Sequence, residues 1–242
     1  MQSTVPSYVH GTSPQPLLPL TVAGLLQDTA AGYPDADALI VPYQGIRWSY
    51  RELQHEVERY AAGFAALDLK PGERIGIWAP NCWEWVVAQF ASARAGLILV
   101  NINPAYRLGE LSYALGTTGC AALIVTRQFK SSNYIDMLNE LIPELGSVTA
   151  GRVVSKKFPD LRLLLLLGSQ EEAGFMPFEA IPDQADKKHL KQVEELQSRL
   201  QFDDPINIQF TSGTTDTPKA STLTHHNIVN NAYFVGLQMK LS

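Results

Sequence analysis

Only two cysteines occur in the 242 residues, Cys82 and Cys120, and each sits in an apolar stretch. Two isolated thiols build neither a disulfide framework nor a metal site, so they read as free, buried cysteines in a reducing compartment. Basic charge is also scarce: 19 Lys and Arg stand against 24 Asp and Glu, for a net charge of −5. No basic stripe is present, which argues against a surface that tracks nucleic-acid phosphates. Lys187, Lys188 and Lys191 alternate with Glu194 and Glu195, the pattern of a solvated helix face. The apolar runs, such as 163–167 and 97–100, are far shorter than the ~20 residues that cross a bilayer. No Lys or Arg precedes Arg47. The chain as written therefore lacks the positive n-region of a secretory signal and the arginines of a mitochondrial presequence. The expected location is the cytoplasm, with the mitochondrion as the alternative if a presequence stands upstream.

Hydrophobic residues make up 45% and charged residues 18%, enough apolar material for a sizeable core and too much for wholesale disorder. Residues 1–20 hold four prolines and little periodicity, and read as an extended arm. Thr21 can cap a helix to about Ala31, and 38–42 is a short apolar strand followed by a turn at Gln44-Gly45. Ser49-Tyr50-Arg51-Glu52 is a capping box, followed by Leu53, Val57, Tyr60, Ala61 and Phe64 at helical spacing. An alternation then begins: strand 74–78, a helix from a cap at Asn81 to Ala95, strand 97–101, helix 108–115, strand 121–126 and helix 133–141. Strands that are apolar throughout, separated by amphipathic helices, require a parallel sheet covered on both faces. The class is α/β.

Residues 144–160 read as a connection, 161–167 as a buried strand and 168–183 as loop. Residues 187–200 form an amphipathic helix with Leu190, Val193, Leu196 and Leu200 inward. The expected organisation is an arm at 1–20, a first α/β subdomain at 21–168, a connection at 169–204, and the start of a second subdomain at 205–242. Strand 206–210 should belong to a second, incomplete sheet and leave an apolar edge exposed, so the tail from about Pro205 should be mobile or sticky.

That strand runs into Thr211-Ser212-Gly213-Thr214-Thr215-Asp216-Thr217-Pro218-Lys219. A hydroxyl-dense turn leaving a strand offers side-chain donors and backbone N–H groups that converge. Gly213 admits close approach of a ligand and Lys219 adds a point charge, which together suit nucleotide phosphates. The same composition also suits a turn that bonds only to itself. The Walker A spacing is not met, because Pro218 stands where its second glycine belongs and Ala220 follows Lys219.

The segment resembles T-S-G-T-T-G-x-P-K-G, the signature of the adenylate-forming superfamily. Leu223-Thr224-His225-His226-Asn227-Ile228 is similar to the continuation seen in its acyl-CoA synthetases, and the N-terminal landmarks follow suit. These are Lys70-Pro71-Gly72-Glu73-Arg74, Asn81 with Glu84-Trp85, Ala95-Gly96 and Asn101-Ile102-Asn103-Pro104. Ser7-Tyr8-Val9-His10-Gly11 and 204–210 resemble a medium-chain branch. The resemblance implies an enzyme that joins a fatty acid to ATP, with Mg2+, and then to coenzyme A. It implies that Thr211, Ser212, Gly213, Thr214, Thr215 and Lys219 hold the triphosphate; no catalytic residue and no protein-borne metal site is assigned. His225 and His226 are expected to cap or pack rather than to transfer protons, and Trp83 and Trp85 to lie in the core.

The signature is broken twice. Asp216 and Ala220 stand where the family has glycine. A glycine held at positive φ would cost roughly 1 kcal/mol to replace. An Asp carboxylate near 4 Å from a phosphate charge costs about 4 kcal/mol at an effective dielectric of ~20, less when solvated. The resemblance also implies that the adenine-binding segment, the ribose-binding Asp, the hinge, the C-terminal domain with its Lys and most of the acyl pocket lie outside these residues. The alternative function is then a non-catalytic remnant with weak or absent nucleotide binding.

Overall fold

The computed structural model describes residues 15–147, 152–168, 170–211 and 218–240. Thr21 opens helix α1 (Val22–Gly32) by accepting the Gly24 N–H at 3.0 Å. Strands β1 (Asp37–Val41) and β2 (Ile46–Ser49) form an antiparallel hairpin, turned through Gly45 at φ 69°. Ser49 and Glu52 make the expected capping box on α2 (Tyr50–Ala66). Then follow β3 (Arg74–Trp78), α3 (Trp83–Arg94), β4 (Ile98–Asn101), α4 (Leu108–Thr118) and β5 (Cys120–Val125). A two-residue hairpin, β6 (Gln128–Phe129) and β7 (Ser132–Asn133), leads into α5 (Tyr134–Leu141), capped by the Asn133 side chain. The chain continues through β8 (Leu163–Leu166), β9 (Met176–Pro177), α6 (Lys187–Gln197), β10 (Pro205–Thr211), β11 (Lys219–Thr224) and α7 (His225–Met239).

Seven strands form one sheet in the order β11-β10-β4-β3-β5-β8-β9, parallel throughout except for the β10–β11 pair. The three central strands are neighbours and parallel, as the alternation of apolar strands and helices requires. Strand side chains alternate between two cores. Ile75, Ile77, Leu99 and Leu165 pack with Val57, Phe64 and Val87 of α2 and α3. Val100, Leu123, Val125 and Leu166 pack with Leu111, Leu115 and Leu138 of α4 and α5. The sheet is thus covered on both faces.

Strand β10 corrects one expectation. It does not open a second sheet but joins this one, with Asn207 opposite Leu99 and Gln209 opposite Asn101 on β4 and β11 on its other side. Ile206 and Ile208 are buried, and Ile206 packs with Val22, Ala93 and Val229. The partners missing from the sequence reading come from β4, more than a hundred residues away, and from the chain's own return as β11.

Other differences are local. Helix α3 begins at Trp83 with Cys82 at the cap position, not at Asn81. Gln44 replaces the expected cap: its Oε1 accepts the Trp83 N–H at 2.8 Å and its Nε2 donates to buried Glu84 at 2.9 Å. On α6 only Val193 is buried, and Leu190 is exposed. Leu196 and Leu200 lie across Gly96, whose φ of 68° and close neighbours leave no room for a side chain. The 168–183 stretch supplies β9 and the fully buried Phe178.

Candidate nucleotide and ligand site

Strands β3, β4, β5 and β10 run the same way, so their carboxyl ends share one edge of the sheet. Ligands of open parallel sheets bind in the crevice outside that edge. The segment leaving β4 there is held rigidly. Trp78 stacks on Tyr134 with ring centroids 3.4 Å apart, and its Nε1 donates to the Asn103 carbonyl at 3.2 Å. The Tyr134 hydroxyl donates to the Pro104 carbonyl at 2.5 Å. Asn103 and Pro104 line a cleft of about 210 Å³ together with Asn81, Trp85, Gln209 and Phe210. A wider groove of about 750 Å³ shares Trp85, Asn101 and Gln209 with that cleft and extends to Leu223, Ile228 and Asn231.

The predicted phosphate loop opens at this same edge. Thr211 and Lys219 are paired residues in the β10–β11 ladder, so the two ends of segment 212–218 are brought together, and both residues are exposed. Ser212, Gly213, Thr214, Thr215 and Asp216 lie outside the described residues. Ala220 is an extended strand residue opposite Phe210, and it is not among the residues with positive φ. The backbone-strain argument therefore fails at Ala220. A strand position tolerates any L-residue, and the sequence could not distinguish it from a turn glycine.

The two histidines after the loop are structural, as expected. His225 is fully buried, and its Nδ1 accepts the Val22 N–H at 3.0 Å. Burial pushes its pKa down to about 4, against the opposing pull of Asp204. The His226 ring packs against Phe202 at 5.4 Å, and its backbone N–H donates to the Phe202 carbonyl at 2.8 Å. Thr224 caps α7, sharing a capping box with Asn227. Trp83 packs among Trp48, Tyr60 and Phe178, as a core residue should. Trp85 is half-buried against the same core and in addition lines both clefts. Its i+2 relation to Trp83 was the available signal, because two residues on a helix point about 200° apart.

Neither thiol is poised to react. Burial and nearby Glu84 push Cys82 up to about 12, and burial pushes Cys120 up to about 11. A thiol that stays protonated at neutral pH is a poor nucleophile. Among the described residues no group of three His, Cys, Asp or Glu side chains converges as a metal site would need.

The sequence matches the family described as AMP-binding enzyme over residues 26–241. The chain belongs to the AMP-binding enzyme family. It is 46% identical over 233 residues to the mitochondrial medium-chain acyl-CoA ligase ACSF2 of Danio rerio, covering 96% of this chain and 38% of that protein. Against the ACSF2 ligase of Homo sapiens it is 39% identical over 235 residues, covering 97% of this chain and 38% of the relative. The chain thus spans about 38% of the length of these relatives. A solved long-chain-fatty-acid-CoA ligase of Archaeoglobus fulgidus superposes with a TM-score of 0.73 at 19% identity, over 98% of this chain and 42% of that one. A similar ligase structure from Rhodopseudomonas palustris gives 0.72 at 20% identity, over 93% and 49%. These likenesses show that the doubly covered parallel sheet of this AMP-binding enzyme chain is the fold of ligase N-terminal regions.

Proposed function

We propose that these residues supply the triphosphate grip of an ATP-dependent fatty-acid–CoA ligase. The observation that carries this reading is the Thr211–Lys219 pair, which brings the two ends of segment 212–218 together at the carboxyl edge of the parallel strands. In the proposed reaction a carboxylate oxygen attacks the α-phosphorus of ATP and the bond to pyrophosphate breaks. The thiolate of coenzyme A then attacks the acyl carbon of the acyl-adenylate, and AMP leaves. Thr211, Ser212, Gly213, Thr214 and Thr215 orient the β- and γ-phosphates through hydroxyl and backbone donors, and Lys219 offsets charge on the departing pyrophosphate. This is preorganised electrostatics and involves no nucleophile from the protein. Mg2+ enters only as the counter-ion of ATP.

Asp216 places a carboxylate in the segment proposed to receive a polyanion, which weakens the grip on ATP. The location named for the ACSF2 relatives supports a mitochondrial place for this chain over a cytoplasmic one. No helix among the described residues is long and apolar enough to cross a membrane.

The test is a graft of residues 211–219 into the Danio rerio relative, followed by ATP–pyrophosphate exchange with a medium-chain acid. The graft should retain exchange at a level at least tenfold reduced, and Lys219→Ala within it should remove most of the remainder. Exchange that is indifferent to Lys219→Ala overturns the reading.

A further inference from the structure

Phe210 and Ala220 face each other across the β10–β11 ladder, one residue before Thr211 and one after Lys219. Both pack on the core that the sheet shares with α4 and α5. The Phe210 ring meets two others edge to face: Tyr106, in the segment leaving β4, at 6.1 Å and Tyr113 of α4 at 6.4 Å. Tyr106 follows Pro104 by two residues, so it belongs to the segment that Trp78 and Tyr134 hold. Successive strand residues point to opposite faces, so Thr211 and Lys219 project from the other side of the sheet. The apolar pair thus grips the base of segment 212–218 on one face, and the two polar end residues stand exposed on the other.

We propose that Ala220 is a positioning residue for the phosphate grip, and that the glycine of the family signature would serve this chain worse. The inference rests on the ligase reading and concerns the same site. A directly opposed antiparallel pair brings its two Cβ atoms within about 5.5 Å, close enough for the Ala220 methyl to pack beside Phe210. Glycine would remove that methyl and widen the backbone freedom next to Lys219. Freedom at the base of the segment is given up when a polyanion is held, so it lowers affinity; a base ordered beforehand does not. Ala220 is an extended strand residue without positive φ, so nothing in its backbone opposes the methyl. The two departures from the signature therefore act in opposite senses. Asp216 brings an unfavourable charge, and Ala220 stiffens the hairpin from which the segment springs.

The experiment titrates ATP into the 242-residue chain and its variants by phosphorus NMR, at low and at high salt, and follows backbone hydrogen exchange without nucleotide. Ala220→Gly should lower ATP affinity about threefold, by the same factor at both salt concentrations because no charge changes. Exchange should quicken at Phe210 and Thr211 and from Lys219 to Ser221, while β3 and β5 keep their protection. Ala220→Ser, which keeps the Cβ, should restore both readouts. Tyr113→Ala, outside the hairpin, should lower affinity in the same direction and serves if Ala220→Gly does not fold. Affinity that is unchanged or higher in Ala220→Gly, a loss that Ala220→Ser shares, a loss that varies with salt, or no ATP binding by the parent chain overturns the proposal. Pyrophosphate exchange in the graft of residues 211–219, which contains neither Phe210 nor Ala220, decides the ligase reading separately.

Discussion

The Val22 N–H donates to Nδ1 of His225 at 3.0 Å, joining the first turn of α1 to the first turn of α7 across 203 residues of sequence. A second tie lies one helical turn further along. Asn230 accepts the Leu18 N–H through Oδ1 at 2.8 Å and returns a bond from Nδ2 to the Leu18 carbonyl at 3.1 Å. The helix that follows the predicted phosphate loop is therefore clamped to the start of the described chain. Val22, Ala93, Ile206 and Val229 fill the space between them. This clamp is why α7 and β10 pack into the fold, and it fixes the far end of the hairpin that carries the loop.

The clamp makes stability depend on pH. His225 folds with a pKa of about 4, below its ordinary value of 6.5, because burial disfavours the charged ring. Between those values the unfolded chain binds more protons than the folded one. The contribution is therefore complete above about pH 6.5 and is lost as pH falls through about 4. The loss should amount to ~2 kcal/mol after allowance for solvent screening. Urea denaturation at pH 7.5, 5.5 and 4 measures it. His225→Asn, which keeps an acceptor for the Val22 N–H, should be less stable at pH 7.5 yet lose less on acidification. An equal acid loss in the variant would place the effect elsewhere.

Asn230→Leu should cost about 2 kcal/mol, because it leaves the Leu18 N–H and carbonyl half-buried without their partners. Hydrogen exchange should show Leu18 and the first turns of α7 losing protection together, with β3 and β5 unaffected. Protection that falls uniformly across the sheet would mean the clamp is not a separable unit.

Gly63→Ala tests a contact that helix propensity alone gets wrong. In an exposed helix the change stabilises by up to about 1 kcal/mol. Here a Cβ on Gly63 would lie 2.5 Å from both the Ile181 carbonyl oxygen and its Cγ2. The backbone of the 178–184 segment would have to move, so the variant should be less stable by about 1–3 kcal/mol. A thermal midpoint equal to or above that of the parent chain would refute the contact.

Asp216 is expected to weaken nucleotide binding through its charge. Asp216→Asn should tighten ATP binding to the 242-residue chain by about tenfold, ~1.4 kcal/mol, at low salt and by less at high salt. Asp216→Gly should gain at least as much. Calorimetric titration of ATP at two ionic strengths reads both quantities. A gain confined to the glycine variant and independent of salt would assign the effect to backbone freedom instead.

The parallel sheet and its helices were legible in the residues, because each strand from Arg74 to Val125 is buried on both faces and α1, α2, α5 and α7 carry their own caps. Ser49 with Glu52, Thr21, Asn133 and Thr224 mark helix starts through bonds that span three residues or fewer, so neighbouring sequence suffices. The candidate phosphate segment stands out for the same reason, as a contiguous run from Thr211 to Lys219. Where long-range partners decide, the sequence was silent. Nothing near Ile206 indicates that β4 lies beside it, nothing near Trp83 indicates that Gln44 caps its helix, and Leu190 satisfies the apolar period of α6 without reaching the core. The groove is the extreme case: Gln89, Asn101, Asn207 and Gln209 sit on three elements, and only strand pairing at Leu99 and Asn101 brings them together. Local hydrogen bonding and hydrophobic period determined the elements. Register between distant strands, which depends on which buried surfaces fit one another, decided the site.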